Sequence, residues 1–414
     1  MRPGGRAQPA RRARWVVGAL CAWLCLIGVR LVYLQLIRHA SFRQQADRQS
    51  SELMEIRVPR GAIYDRSGRP LAISVPVESV CINPMRAPSP AVTAGILAPI
   101  LGLDETLVRE RIQAAVRQGR GFLWIKRKVS LSEAQRLRAL RLDGVEFRSE
   151  SLRVYPKGRL ASHVVGSVDY AENGNAGLEQ ALDEVLRGQS GAAQVLTDVV
   201  RRKIDSRVER QPEPGKSVTL TIDERIQWIA ERELAKAVAA SGSRTGSVVV
   251  MNPTSGEILA AASFPSFDPN QPPESGRALE DRMNHAISVP FEPGSVFKVI
   301  TLAAALETTS LRPETVIPCG SGRLGLYGRV IRDHHPYAAL TMADVLAKSS
   351  NIGAIQIGMR VGDARMYEYV RRFGFGKATG VPLPAESSGM LRRVSEWQPR
   401  SEERRVGKEC CTPC

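Results

Sequence analysis

The sequence predicts an α+β protein of more than one domain, held at a membrane by one N-terminal helix. Three observations lead to this prediction: an apolar run over residues 15–37, a long stretch punctuated by turns over residues 38–215, and a compact alternation of strands and helices over residues 216–399. A chain of 414 residues is long enough for two or three domains of roughly 100–200 residues each. Its 43% hydrophobic and 24% charged residues are typical of folded proteins, which excludes wholesale disorder.

The formal net charge of +16 is compatible with nucleic acid, an anionic membrane surface or an anionic polymer as partner. The positive excess comes mostly from scattered arginines, and aromatic residues make up only 5% of the chain. The sequence has no zinc-ligand spacing and no nucleic-acid-binding motif. We therefore expect no nucleic-acid partner.

The first 37 residues have the pattern of an uncleaved signal anchor. Residues 1–14 contain five arginines and no acidic residue, and residues 15–37 are charged only at Arg30. As a helix this run would reach about 34 Å, enough to cross a bilayer, with Arg30 near the far interface. The basic flank predicts a cytoplasmic N-terminus, and the small-residue cleavage site of a signal peptide is missing. The remaining chain is then expected outside the cytoplasm.

Residues 38–215 are predicted to form a non-catalytic module. Its first part, residues 40–58, is polar and helix-compatible, and we interpret it as a stalk that leaves the membrane. Turn signals between short strands follow at residues 60–72, and residues 88–145 have a mixed, largely helical pattern. Pro214-Gly215 indicates the boundary with the next domain.

Residues 216–399 have the pattern of a compact antiparallel sheet with helices. Asp223 is a plausible N-cap for an amphipathic helix, and two apolar runs around Asn252-Pro-Thr-Ser-Gly256 predict a hairpin. Further helices are predicted from Ser295 to about Leu306 and from Thr341 through Ser349 toward Met359.

The cysteines indicate a fold that does not depend on disulfides. Two of the seven lie in the apolar run and three lie at the C-terminal end. Cys81 and Cys319 remain in the exported part, where they could pair or stay as two free core thiols.

The sharpest chemical signal is Ser295-Val-Phe-Lys298. The i, i+3 spacing places the hydroxyl and the ammonium on one helical face, just after the Pro293-Gly294 turn. A lysine that is desolvated enough to be neutral can take the proton of a serine, and a helix N-terminus favours the negative charge that develops. The alternative is a capping serine beside a solvent-facing lysine, because Ser-x-x-Lys is expected about once by chance in a chain of this size.

Ser349-Ser-Asn351 follows 54 residues later and is the only Ser-x-Asn in the chain. Ser349 could relay a proton, and the Asn351 amide could hold a substrate peptide through both its donor and its acceptor. An ordinary polar helix turn is the alternative. For His334-His335 we expect a surface loop, because adjacent histidines point to different faces and no third metal ligand is spaced nearby.

Together these motifs resemble the penicillin-interacting serine acyltransferases, in which Ser-x-x-Lys is followed by Ser-x-Asn. The flanking segments are similar to class B penicillin-binding proteins: Arg60–Ala72, Arg153–Pro156, Gly177–Glu179, Ala262–Asn270, Glu292–Lys298 and Leu346–Gly353. Three short segments resemble the division-specific branch: Phe373–Gly376, Thr379-Gly380 and Leu383-Pro384. The resemblance covers residues 15–399.

The resemblance implies a membrane-anchored peptidoglycan D,D-transpeptidase with an elongated pedestal, a dimerisation-like module, before its catalytic domain. Ser295 is then the nucleophile, Lys298 its general base, Ser349 a proton relay and Asn351 the residue that orients the substrate backbone. The implied partners are D-Ala-D-Ala stem peptides, β-lactams, a septal glycosyltransferase and other division proteins. Neither a cofactor nor a metal is implied. The implied location is the bacterial inner (cytoplasmic) membrane, with the catalytic domain periplasmic or extracellular.

The third family motif, Lys-[Ser/Thr]-Gly, does not occur in the sequence, since Lys377-Ala-Thr-Gly380 has one residue too many. Residues 400–414 resemble the translation of a sequencing-adapter oligonucleotide, so we expect a non-native tail on a C-terminally truncated domain. Such a fragment would fold poorly and be inactive, because a truncated sheet leaves an open edge.

Two other functions remain open from the sequence. A β-lactam-binding receptor or anchored β-lactamase of the same superfamily would not need the segment 60–72 or the module that follows it. A non-catalytic division scaffold, or a decayed gene, would need only the anchor and residues 40–215.

Overall fold

The computed structural model describes residues 7–37, 51–56, 58–197, 203–272, 280–326 and 329–397. Its helices are α1 (Ala7–Val32), α2 (Pro90–Leu101), α3 (Glu105–Arg117), α4 (Leu131–Leu140), α5 (Ser162–Val165), α6 (Gly177–Ala181), α7 (Asp183–Arg187), α8 (Glu224–Ser241), α9 (His285–Ser288), α10 (Lys298–Thr308), α11 (Met342–Ala347), α12 (Asn351–Val361) and α13 (Asp363–Arg372). Its strands are β1 (Ser51–Ile56), β2 (Ile63–Tyr64), β3 (Pro70–Ile82), β4 (Leu123–Val129), β5 (Val145–Val154), β6 (Ser167–Val168), β7 (Gly174–Ala176), β8 (Gly191–Thr197), β9 (Lys203–Arg210), β10 (Val218–Thr219), β11 (Gly246–Met251), β12 (Ile258–Phe264), β13 (Val316–Pro318), β14 (Arg323–Leu326), β15 (Arg329–Arg332) and β16 (Ala339–Thr341).

The chain divides into two compact units, one formed by Met1–Val58 with Gly188–Pro214 and the other by Pro59–Arg187 with Gly215–Cys414. In the first unit, α1 continues into a π-helical turn, and Trp15–Gln35 is an apolar helical span of 21 residues, long enough to cross a membrane. This confirms the predicted N-terminal helix. The proposed non-native tail, residues 400–414, lies outside the described residues.

The predicted helical stalk is wrong where the structure describes it. Residues 51–56 form β1, which pairs antiparallel with β8, and β8 pairs antiparallel with β9. The partner strand lies far along the chain, so the local polar pattern did not reveal it. Residues 40–50 and 57 lie outside the described residues.

The pedestal part of the second unit is built around a five-stranded sheet. The long β3 pairs with β2, β4 and β5, and β10 joins the edge through β2. Helices α2, α3 and α4 bury a continuous apolar cluster with this sheet, which includes Val80, Leu97, Leu101, Ile112 and Leu137. Local signals define these helices, since Ser89, Asp104 and Ser130 cap their N-termini.

Three of the segments that resemble class B proteins meet in a buried ion-pair cluster, defined by Arg60, Arg153, Glu179 and Asp183. Arg60 Nε lies 2.6 Å from Glu179 Oε2, and Arg153 Nε lies 2.7 Å from Glu179 Oε1. A second Arg60 nitrogen lies 2.6 Å from Asp183 Oδ1. The cluster thereby joins residues that are more than 100 positions apart in the sequence.

The sheet that follows is a two-stranded antiparallel hairpin, β11 and β12, covered by α8. Asp223 accepts hydrogen bonds from the backbone of Arg225 and Ile226, as its predicted N-cap role requires. Along α8, Ala230, Leu234 and Val238 recur every fourth residue and pack on the alanines of β12. The predicted helix and hairpin are confirmed.

A second core surrounds α10, α12 and α13. Phe297, Ile300, Ala304, Ile352 and Ile357 are among its buried members. It also contains Cys319, which is a free buried thiol like Cys81 in the pedestal sheet. The alternative of two unpaired core thiols is therefore the one observed.

Candidate active site

Ser295 lies at the entrance to α10, within a short 3-10 turn that runs from Gly294 to Phe297. Gly294 has φ of 59°, a left-handed conformation that favours glycine, and it turns the chain into the helix. Phe297 is 1% exposed and packs edge-to-face against Phe375, so one side of the turn is fixed in the core. Ser295 remains exposed on the other side.

Lys298 is the first residue of α10 and is only 1% exposed, so the solvent-facing alternative is wrong. Its Nζ lies 3.3 Å from Oγ of Ser295, which joins the two residues of the predicted pair. It also donates to the carbonyl oxygen of Ser349 at 2.7 Å and to Oδ1 of Asn351 at 2.9 Å. Burial lowers the pKa of Lys298, and the negative charge of Asp333 opposes part of that shift. A lowered pKa increases the population of the neutral amine, which is the form that can accept a proton.

Ser349 completes a triangle of polar groups. Its Oγ lies 3.0 Å from Oγ of Ser295 and 2.9 Å from Nζ of Lys298. A proton could therefore pass between any two corners of the triangle over one hydrogen bond.

The predicted continuous helix from Thr341 toward Met359 is wrong, because it breaks at Ser349. Here α11 ends at Ala347 and α12 begins at Asn351. Ser349 has φ of 54°, which is uncommon for a residue with a Cβ and costs about 1 kcal/mol or more. This conformation lets both its carbonyl oxygen and its hydroxyl contact Lys298.

The structure adds Asp333, which the sequence reading did not select. One carboxylate oxygen accepts from the backbone N–H groups of Asn351 at 2.6 Å and Ile352 at 3.0 Å, and the other accepts from Ser350 Oγ at 2.5 Å. Asp333 therefore holds the N-terminus of α12 and with it the Ser349–Asn351 segment. Its position directly after β15 gave no local signal, since the contact spans about 18 residues of sequence.

His334 and His335 are exposed in the loop after Asp333, as predicted. Within the described residues, no group of three His, Cys, Asp or Glu side chains is arranged to hold a metal ion. The four residues predicted for catalysis are brought together by α10, α12 and the break between α11 and α12.

Known proteins show the same architecture. Residues 246–406 match the family model of the penicillin-binding protein transpeptidase domain, and residues 55–220 match that of the penicillin-binding protein dimerisation domain. The chain is 32% identical to the probable peptidoglycan D,D-transpeptidase PenA of Neisseria gonorrhoeae, over 94% of this chain and 66% of the relative. It is also 32% identical to the peptidoglycan D,D-transpeptidase FtsI of Escherichia coli, over 96% of this chain and 68% of the relative.

Among solved structures, penicillin-binding protein 3 of Mycobacterium tuberculosis, complexed with aztreonam, matches with a TM-score of 0.58 and 27% identity. That match covers 84% of this chain and 60% of the other. The fold is therefore that of a penicillin-binding transpeptidase domain that follows a dimerisation module. The chain belongs to the class B penicillin-binding proteins, and it spans about two thirds of the length of the curated relatives.

Proposed function

We propose that this protein is a membrane-anchored serine D,D-transpeptidase that cross-links peptidoglycan stem peptides through an acyl-enzyme on Ser295. The observation that carries the proposal is the triangle formed by Ser295, Lys298 and Ser349, in which an exposed hydroxyl lies beside a buried amine. The names of the relatives from Neisseria gonorrhoeae and Escherichia coli support the same activity.

In the first half-reaction, Oγ of Ser295 attacks the carbonyl carbon of the penultimate D-Ala while its proton moves to the neutral Nζ of Lys298. The bond to the nitrogen of the terminal D-Ala then breaks. The leaving nitrogen receives the proton from Lys298 through the hydroxyl of Ser349, which can donate one proton as it accepts another. The stem peptide is left as an ester on Ser295.

In the second half-reaction, an amine of a neighbouring stem peptide attacks this ester. Its proton passes back through Ser349 or Lys298 to Oγ of Ser295, and a new amide bond replaces the ester. Asn351 is placed to orient the substrate: its Oδ1 accepts from Lys298, which leaves its Nδ2 hydrogens to donate to a peptide carbonyl.

A β-lactam would acylate the same serine. Opening its ring forms the ester without releasing a fragment, so the amine that should leave stays attached to the acyl group. The aztreonam complex of the Mycobacterium tuberculosis relative supports this part of the proposal, because aztreonam is a β-lactam.

We further propose a role in septal wall synthesis at the inner membrane, beside a glycosyltransferase and other division proteins. The segments at Phe373–Gly376, Thr379-Gly380 and Leu383-Pro384 support the septal assignment. The apolar span Trp15–Gln35, preceded by basic residues, supports a cytoplasmic N-terminus and a catalytic domain on the opposite side.

The proposal is tested by labelling the protein, expressed from its genomic reading frame, with a fluorescent penicillin and mapping the adduct by peptide mass spectrometry. We expect the adduct on Ser295 and complete loss of labelling in Ser295→Ala. In the same assay Ser349→Ala should slow acylation while the adduct stays on Ser295. Persistent labelling of Ser295→Ala would exclude this serine as the nucleophile.

A cross-linking assay separates the enzyme from the alternatives. A transpeptidase joins a D-Ala-D-Ala donor peptide to an amine acceptor and releases D-Ala. A β-lactam receptor would be labelled but release none, and a scaffold would do neither.

A further inference from the structure

A cavity of about 190 Å³ lies within the second compact unit, and none of the four catalytic candidates lines it. Its walls come from α5, β7 and α6 of the pedestal part and, in the transpeptidase part, from Phe267, residues 282–284, residues 287–288 and residues 383–385. Nothing in the proposed reaction uses this cavity.

Ser162 supplies the first indication of a ligand. The residue lines the cavity and is 1% exposed, and its Oγ has no hydrogen-bond partner among the described residues. A buried hydroxyl without a hydrogen-bond partner is unfavourable, so such groups normally have a partner. A polar ligand atom in the cavity would supply that partner.

Arg282 supplies the second indication that the cavity holds a ligand. Its guanidinium lies 4.5 Å from the ring centroid of Phe267, and one nitrogen donates to the carbonyl of Gln271 at 2.9 Å. Its other donors have no acceptor within the part of the chain that the structure describes. Burial lowers the pKa of Arg282, and no carboxylate is among the described side chains that line the cavity. A partly buried cation without an anion attracts one.

Two further polar residues of the cavity lining, Asn175 and His163, carry no negative charge and can donate hydrogen bonds. Asn175 accepts from Ser167 through its Oδ1 at 2.7 Å, which leaves its Nδ2 hydrogens as donors. His163 lies with Nε2 3.1 Å from the carbonyl of Asp281, and burial lowers the pKa of this imidazole, as does the neighbouring His285. The lowered pKa favours the neutral imidazole, so Arg282 is the side chain that carries positive charge among the described residues that line the cavity.

The apolar walls limit the body of the ligand. Phe267, Ile287 and Leu383 line the cavity, whose volume of about 190 Å³ has room for a small organic molecule. A single positive charge with a planar, forked set of donors matches one carboxylate. We propose that this cavity binds a small monocarboxylate with a short apolar body, its carboxylate on Arg282 and Ser162 and its body against Phe267, Ile287 and Leu383.

The test uses 4-fluorobenzoate as the probe, with its binding to the detergent-solubilised full chain followed by fluorine NMR. The neutral 4-fluorobenzamide reports partition into detergent and general apolar binding. We expect saturable binding of the benzoate alone, and a loss of about 10–100-fold in its affinity in Arg282→Gln, since the variant lacks the charged hydrogen-bond donor. Arg111→Gln is the matched control, because Arg111 also donates to a backbone carbonyl but does not line the cavity.

A second variant keeps the test decisive if Arg282→Gln does not fold, as judged by its melting curve. Ser162→Ala removes only a hydroxyl and should weaken benzoate binding by about 2–10-fold. The proposal is overturned if millimolar benzoate does not bind, if benzamide binds equally well, or if every folded variant, Ser162→Ala included, binds as tightly as the unaltered chain.

Discussion

The buried cations of the ion-pair cluster and the buried Lys298 of the active site have different partners. This difference distinguishes a structural role from a catalytic one. In the ion-pair cluster, Arg60 and Arg153 share the carboxylate of Glu179, which is 0% exposed. At the active site, Lys298 is 1% exposed, and the contacts of its Nζ with the described residues are all to neutral oxygens, those of Ser295, Ser349 and Asn351.

The comparison shows that the partner decides what a buried cation can do. A carboxylate partner stabilises the charged form, and guanidinium does not lose its proton in proteins, so the ion-pair cluster can only hold segments together. Neutral oxygens compensate burial incompletely, so the neutral amine of Lys298 becomes accessible and the residue can act as a base. Arginine in one place and lysine in the other suit these two tasks.

The largest effect is expected when the buried amine of the active site is removed. Lys298→Met preserves the buried apolar stem and removes the base, so we expect the acylation rate with a fluorescent penicillin to fall about 10²–10⁴-fold. Lys348→Met is the control, because Lys348 is exposed and pairs with Asp344 at the surface. Equal rates for the unaltered protein and Lys298→Met would exclude Lys298 as the base.

The second largest effect is expected when the ion-pair cluster loses its shared carboxylate. Glu179→Gln leaves two buried arginines without their shared carboxylate, and we expect a loss of about 3–5 kcal/mol of stability, measured as a shift of the denaturant midpoint. Glu233→Gln also removes a carboxylate with two cationic partners, but on the surface, where a much smaller shift of the denaturant midpoint is expected. Similar shifts for the two variants would mean that burial does not make the ion-pair cluster special.

A smaller effect is expected when the negative charge of Asp333 is removed, because among the described residues this charge opposes the lowering of the pKa of Lys298. The neutral amine is the active form, so acylation should slow as the pH falls through that pKa. The negative charge of Asp333 raises the pKa of Lys298, so Asp333→Asn should move the acidic limb of the pH–rate profile to lower pH.

Asp344→Asn is the control for this shift, because Asp344 is a half-exposed carboxylate that pairs with Lys348 and gives no resolved contribution to the pKa of Lys298. A profile that stays in place for Asp333→Asn, or moves to higher pH, would contradict the assigned role of Asp333.

Features that depend on residues close together in the chain could be predicted from the sequence alone. The apolar run at Trp15–Gln35, the cap at Asp223 with its four-residue apolar repeat, and the spacing of Ser295 and Lys298 each depend on residues within a few turns of one another. Such patterns act through backbone hydrogen bonding and side-chain spacing, which the neighbouring residues specify.

Features that join distant segments of the chain could be seen only in the tertiary structure. The strand at Ser51–Ile56 exists because β8 pairs with it, and the ion-pair cluster exists because Glu179 meets two arginines from other segments. The break at Ser349 contradicts the local helical pattern, and it coincides with contacts to Asp333 and Lys298 across the fold. These contacts outweigh local propensity because burial and long-range hydrogen bonds contribute more free energy than a single unfavourable φ costs.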